Sequence, residues 1–181
     1  MLVPKILNNY TTKIFLLFMA LWFACFCLGL FIDLDTMPVN NQEKNILHTN
    51  TSEVFFLLFK NNISIVLFNT IGLASFGISC FVSIIINGYS FGLLISNSLK
   101  TNLPIYLLLK NTLPHGIFEL FGLWISATAG FHGTLLFGKV LRSKLISEVE
   151  ISTYLKLVAI SLFLTILSVF IETYYTIAHF L

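Results

Sequence analysis

The feature that most constrains this chain is a series of apolar stretches long enough to cross a lipid bilayer. The first runs from Ile14 to Ile32 without a charged residue, and a spanning helix needs about 20 predominantly apolar residues. It is longer than the apolar core of a secretory signal peptide, which has about 7–15 residues. Hydrophobic residues make up 57% of the 181 positions and charged residues only 10%. Since a soluble domain carries about 25% charged residues, the sequence predicts an integral membrane protein.

The spacing of the apolar stretches predicts an all-α fold, a polytopic transmembrane helix bundle of about five spans that forms one domain over residues 1–181. The predicted spans are about 14–34, 63–86, 88–109, 115–137 and 154–176. We expect Asn87-Gly88 to form the turn between the second and third spans, because Asn-Gly pairs favour turns. The third segment is interrupted by Lys100, Pro104 and Lys110. It is therefore either a short span followed by a surface helix or a re-entrant segment.

The distribution of lysine and arginine predicts the orientation, because the cytoplasmic loops of membrane proteins carry an excess of these residues. With five spans, one side of the membrane receives six basic residues, which are Lys5, Lys13, Lys139, Arg142, Lys144 and Lys156. The other side receives four, which are Lys44, Lys60, Lys100 and Lys110. We therefore expect a multi-pass protein of the cell membrane with a cytoplasmic N-terminus and an external C-terminus. The net charge of +2 gives no basis for a nucleic-acid partner.

Small residues spaced one helical turn apart predict where the helices pack most closely, since they let two backbones approach each other in a membrane. The two rows are Gly88, Gly92 and Ser96, and Gly122, Ser126 and Gly130. Asn69 lies within the second predicted span, and we expect its side chain to form a hydrogen bond with another helix.

Three ionisable residues, His115, Glu119 and Glu172, lie within predicted spans, and the five-span topology puts them near the outer side of the membrane. His115 and Glu119 share one helical face with Gly122, which should turn both toward the bundle interior. The three side chains are candidate ligands of a zinc ion, because three protein ligands and a water form a catalytic zinc site. One of the carboxylates could instead act as a general base. The remaining alternative is a structural polar lock between helices.

Several motifs between about Phe59 and Tyr175 occur in a specific order. They are Asn61-Asn62 before a span with Gly72 and Gly77, Asn87-Gly88 with Gly92, Leu113-Pro114-His115-Gly116-Ile117-Phe118-Glu119-Leu120, and Ile171-Glu172-Thr173. With these motifs the chain resembles the stage II sporulation protein M family. Members often carry a proline soon after the last motif, whereas Thr176 is followed here by Ile177. The resemblance implies a multi-pass membrane protein that works within a complex.

The family resemblance implies two main roles. One branch takes part in engulfment during sporulation, alongside peptidoglycan-degrading partners, and another is encoded with circular bacteriocins. The short chain and its richness in Asn, Lys, Ile and Phe favour the second branch. We therefore expect a component of a membrane complex in bacteriocin maturation, export or self-immunity. Its partners would be the lipid bilayer, other membrane proteins or further copies of itself, and a hydrophobic peptide.

Three alternatives to this role remain open at the level of sequence. The first is a scaffold of the sporulation engulfment complex. The second is an intramembrane metal-dependent peptidase or peptidase-ligase that uses His115, Glu119 and Glu172, with zinc as the metal. The third is a transporter, which would need a polar path through the membrane.

Overall fold

The computed structural model describes residues 9–31, 51–73, 75–100 and 105–180. These residues form five helices, which are α1 (Asn9–Phe31), α2 (Thr51–Thr70), α3 (Ile78–Lys100), α4 (Ile105–Leu141) and α5 (Glu148–Phe180). Within the described part of the chain there is no β-strand. Four segments are long and apolar enough to cross a membrane, namely Tyr10–Phe31, Ile78–Lys100, Thr112–Leu141 and Glu148–Tyr174. The predicted all-α membrane bundle is confirmed.

The predicted boundary between the second and third spans is wrong. Asn87-Gly88 lies inside α3, and the chain turns instead between α2 and α3, where Ile71–Leu73 form a 3-10 turn. Gly77 has a φ of 83°, which favours glycine. The predicted span 63–86 is therefore divided between two helices. An Asn-Gly pair does not end α3 because tertiary contacts hold both residues in the helix: the indole Nε1 of Trp22 donates a 2.8 Å hydrogen bond to Asn87 Oδ1.

The other predicted boundaries also shift. α4 begins at Ile105 and continues through Pro114, so the expected start at His115 is wrong, because a proline in a membrane helix can be accommodated by its neighbours. α5 begins at Glu148 rather than Tyr154. A capping box explains this start, since the Ser147 hydroxyl accepts from the Glu150 backbone N–H at 3.3 Å and Glu150 Oε2 accepts from the Ser147 N–H at 3.1 Å. The predicted end of the first span at residue 34 lies outside the described residues, and the predicted end of the third span at residue 109 lies within α4.

α1 and α3 pack in parallel through glycines. A Cβ atom added to Gly88 would lie 2.6 Å from the carbonyl oxygen of Trp22, and one added to Gly92 would collide with the carbonyl oxygen of Phe26. The backbones are therefore in direct contact. Next to this contact lies the apolar core, which α1, α3 and α4 share and which contains Ile14, Phe18, Trp22, Cys80, Ile84, Leu123, Trp124 and Ala127.

Consecutive helices run in alternating directions. α5 is antiparallel to α4, because Ser168 contacts His115 near one end of the pair and Tyr154 packs on Gly133 toward the other. α2 lies in the groove between them and runs with α4. Its first half contacts α5 through Phe55 and Phe170, and the Thr70 carbonyl at its end accepts a 3.3 Å bond from the Tyr154 hydroxyl. α2 therefore lies alongside two candidate spans over nearly its whole length.

Candidate functional site: polar residues inside the helix bundle

His115 and Glu172 come together between α4 and α5. Their Nε2 and Oε1 atoms are 4.0 Å apart, and both side chains are mostly buried. The Ser168 hydroxyl, one turn before Glu172, donates a 3.0 Å hydrogen bond to the backbone carbonyl of His115. The Nδ1 atom of His115 is buried and has no hydrogen bond with a described residue. This pair joins two antiparallel helices near one end of the bundle.

Glu119 points to a different place from His115, although it lies only one turn further along α4. It lines a small cavity of about 10 Å³ together with Asn62 of α2, Asn87 of α3 and Thr165 of α5. Asn62 and Asn87 lie near the middle of their helices, so the cavity is about halfway along the bundle. The three predicted site residues therefore divide between the His115–Glu172 pair and a polar cavity around Glu119, within electrostatic range of Glu172.

Four helices contribute the polar lining of this cavity, of which the sequence alone identifies only Glu119 as a site residue. Asn62 is 6% exposed and Thr165 is 2% exposed, while Trp22 holds the amide of Asn87 through the bond described above. The apolar part of the lining is Ile65, Val66 and Leu123. Because α2 begins at Thr51, Asn62 is a polar residue in the interior of a helix. That position is the signal that could have identified Asn62 as a site residue.

A second polar contact lies two helical turns away along the same helix pair. Asn69 of α2 is completely buried, and its Nδ2 donates a 2.9 Å hydrogen bond to Ser126 Oγ of α4. The prediction that Asn69 bonds to another helix is therefore confirmed. A Cβ atom added to Gly130 would collide with the backbone carbonyl of Asn69, and one added to Gly122 would lie 2.8 Å from Thr165 Oγ1. The predicted row Gly122, Ser126 and Gly130 thus lies where α4 meets α2 and α5.

The described residues contain no group of three or more His, Cys, Asp or Glu side chains placed to hold a metal ion. Only two of the predicted ligands, His115 and Glu172, lie next to each other, because Glu119 is directed into the polar cavity. A zinc site formed by His115, Glu119 and Glu172, with the catalytic role that it implies, stays a prediction that this geometry does not favour.

The outer face of α2 combines polar and apolar residues. Lys60, Asn61 and Ser64 are exposed near the middle of the helix. Large apolar side chains are exposed on both sides of them along the helix, namely Phe56, Leu57, Leu67 and Phe68. The Ser64 hydroxyl donates to the Lys60 carbonyl within the helix at 2.6 Å. We call Lys60, Asn61 and Ser64 the polar patch of α2.

Comparison with known proteins agrees with the motifs. The sequence profile described as Stage II sporulation protein M matches residues 11–177. An uncharacterized protein of Methanocaldococcus jannaschii is 33% identical over 150 residues, which cover 81% of this chain and 84% of that relative. No solved structure matches the chain. The profile covers His115, Glu119, Glu172 and the polar lining of the cavity.

Proposed function

Because this chain belongs to the stage II sporulation protein M family, as its motifs predicted, we propose that it is a non-enzymatic component of a membrane protein complex. The observation that carries this proposal is the polar patch of α2. A different membrane protein covers this patch inside the bilayer, and the partner presents a carboxylate to Lys60.

The depth of the patch follows from the packing of α2. The helix touches α5 at Phe55 and again at Thr70, so Lys60 and Asn61 are about level with the middle of a candidate span. A lysine at the centre of a membrane helix costs about 2.5–3.5 kcal/mol on insertion scales. Covering the patch with protein lowers this cost, because a partner can supply an opposite charge and hydrogen bonds.

The chemistry of the patch favours a different protein over a second copy. A two-fold dimer through α2 with its axis along the membrane normal would bring Lys60 opposite Lys60 at the same depth, and like charges repel strongly in a low dielectric. Among the described residues of this chain, Glu119 is the carboxylate at a similar depth, and it points into the bundle. A transmembrane Asp or Glu of another protein satisfies Lys60 directly.

We further propose that all five helices cross the cell membrane with the N-terminus in the cytoplasm. The alternating helix directions support this topology. They bring the start of α1 and the loop between α4 and α5 to the same end, since Phe18 packs against Phe131. Lys13 and Lys139 lie at this end, and a basic cytoplasmic side is the general rule.

Within the family, we propose a role in bacteriocin maturation, export or self-immunity, which rests on the composition that favours that branch. The genomic neighbourhood discriminates this role from sporulation. A neighbouring gene for a small hydrophobic precursor together with an ATPase gene supports the bacteriocin role, and neighbouring sporulation genes contradict it.

The test of the complex is site-specific photo-crosslinking in cells that naturally express the protein. A photoreactive residue replaces Asn61 in one variant and Phe163 in the control. Phe163 is 63% exposed and lies on α5 at a similar depth, two residues before Thr165 of the cavity. We expect a protein adduct of defined mass at position 61 and lipid adducts at position 163.

The role of Lys60 is tested in the same experiment. Lys60→Ala should reduce the protein adduct about tenfold or more, because an uncompensated partner carboxylate is then left in the membrane. Peptide mass spectrometry should identify a membrane helix with an Asp or Glu. Lys60→Glu should abolish the adduct, and replacing the partner's carboxylate by lysine should restore it. Adducts with lipid alone at position 61, or with a second copy of this chain, would overturn the proposal.

A further inference from the structure

The polar cavity has the size of one small ligand. Its volume is about 10 Å³, close to the space that the centre of one water molecule needs. Its polar lining consists of a carboxyl group, two amides and a hydroxyl, contributed by Glu119, Asn62, Asn87 and Thr165. Each comes from a different helix, so the site exists only when α2, α3, α4 and α5 are assembled.

The oxygen atoms of these groups remain available to a ligand. The side-chain hydroxyl of Thr165 forms no hydrogen bond with a described residue, although Thr165 is only 2% exposed. The same is true of the carboxyl group of Glu119. Asn87 Oδ1 accepts one bond from Trp22, which orients the amide and leaves a second lone pair. Asn62 Oδ1 accepts a 3.4 Å bond from Asn61.

An ionised Glu119 requires a counter-charge at this depth, because an isolated carboxylate is strongly disfavoured inside a membrane. The basic side chains nearest to Glu119 either face another carboxylate or lie outside the bundle. His115 faces Glu172, and Lys60 is exposed on the outside of α2. A monovalent cation would balance the single carboxylate, whereas a divalent ion would leave an excess positive charge.

The ligand set also selects the class of cation. Carboxylate, amide and hydroxyl oxygens are hard ligands, which suit alkali and alkaline-earth ions, whereas zinc and copper favour thiolate and imidazole. Dehydrated Na⁺ and K⁺ are no larger than a water molecule and therefore fit the cavity.

We propose that the polar cavity binds one monovalent alkali cation, held by Glu119, Asn62, Asn87 and Thr165. The ion joins four helices at the middle of the bundle. Asn61 of the polar patch bonds to Asn62, but cation binding in the cavity does not require the partner proposed above, so either proposal can fail without the other.

The test is thermal unfolding of the purified full chain in detergent. NaCl or KCl replaces N-methylglucamine chloride at constant ionic strength, which keeps general screening unchanged. Because a ligand that binds only the folded state stabilises it, we expect Na⁺, K⁺ or both to raise the Tm saturably by about 5 °C. Binding of ²²Na⁺ should saturate at about one ion per chain, with competition by K⁺.

Two variants and a control locate the site. Glu119→Gln should abolish the cation-dependent rise in Tm, and Thr165→Val, which keeps the side-chain shape, should weaken cation affinity about tenfold. Glu150→Gln removes a carboxylate at the α4–α5 loop, far from the cavity, and should retain the rise. If Glu119→Gln fails to fold, the cation response of Thr165→Val and the ²²Na⁺ binding of the wild type decide. Equal Tm values in sodium, potassium and N-methylglucamine overturn the proposal, as does a response that survives Glu119→Gln or disappears with Glu150→Gln.

Discussion

The α2–α4 interface contains two layers of polar residues that have the same spacing along both helices but pack differently. Asn62 and Asn69 are seven residues apart on α2, and Glu119 and Ser126 are seven residues apart on α4. In one layer Asn69 bonds to Ser126 at 2.9 Å. In the other, Asn62 and Glu119 line a cavity without a direct bond between them.

The difference comes from the size of the α4 residues. Ser126 and Gly130 are small, so the backbone of α4 lies directly against the carbonyl of Asn69. Glu119 is longer and carries an ionisable carboxyl group, and Asn87 and Thr165 of two other helices surround the space beside it. The layer of Asn69 therefore closes the interface, whereas the layer of Glu119 creates a place for a ligand.

The largest expected effect is at the closed layer. Gly130→Ala should destabilise the protein by about 3 kcal/mol, or roughly 10 °C in Tm, because the new Cβ meets a backbone carbonyl that cannot move aside. The control is Gly138→Ala, where no atom lies within 4 Å of the added Cβ. This variant should be neutral or stabilising by up to about 1 kcal/mol, because alanine favours helices. Equal Tm values for the two variants would show that α2 and α4 are not in backbone contact.

A smaller effect separates the two asparagines. Asn69→Ala should cost about 1–2 kcal/mol, because it removes a buried interhelical hydrogen bond and leaves a void. Asn62→Ala should lower the free energy of unfolding by less than about 0.5 kcal/mol in N-methylglucamine chloride, because removing the amide group only enlarges an existing cavity. Thermal unfolding of both variants in this salt measures the difference, and a larger effect at Asn62 contradicts the assignment of the two layers.

The smallest effect lies outside this interface. Lys139 and Glu150 form an ion pair at the α4–α5 loop, and both side chains are partly exposed. Such pairs contribute about 0–1 kcal/mol, so Lys139→Ala should lower the Tm by no more than about 3 °C. The difference between wild type and variant should shrink in high salt, because exposed charges are screened. A loss as large as that of Gly130→Ala would mean that the loop, rather than the helix interface, dominates stability.

Particular residues show how far prediction from sequence extended. The glycines and Ser126 were identified by their spacing of one turn, and Asn69 by the cost of an unpaired amide in a membrane. The turn at Gly77 was missed because Asn87-Gly88 carries the stronger local turn signal. That signal is overruled by Trp22, which is 65 residues away in the chain, and no local pattern contains such a contact.

The sequence by itself determined the class of this protein. Long apolar stretches and few charges exclude a soluble core, and the ordered motifs identify the family. Only the tertiary structure decided which polar residues meet. It separated Glu119 from His115 and Glu172 and brought it to Asn62, Asn87 and Thr165, since these groups lie on four helices whose relative register is set by packing. A helical face predicts that a side chain points inward, and only the neighbouring helices determine what it meets there.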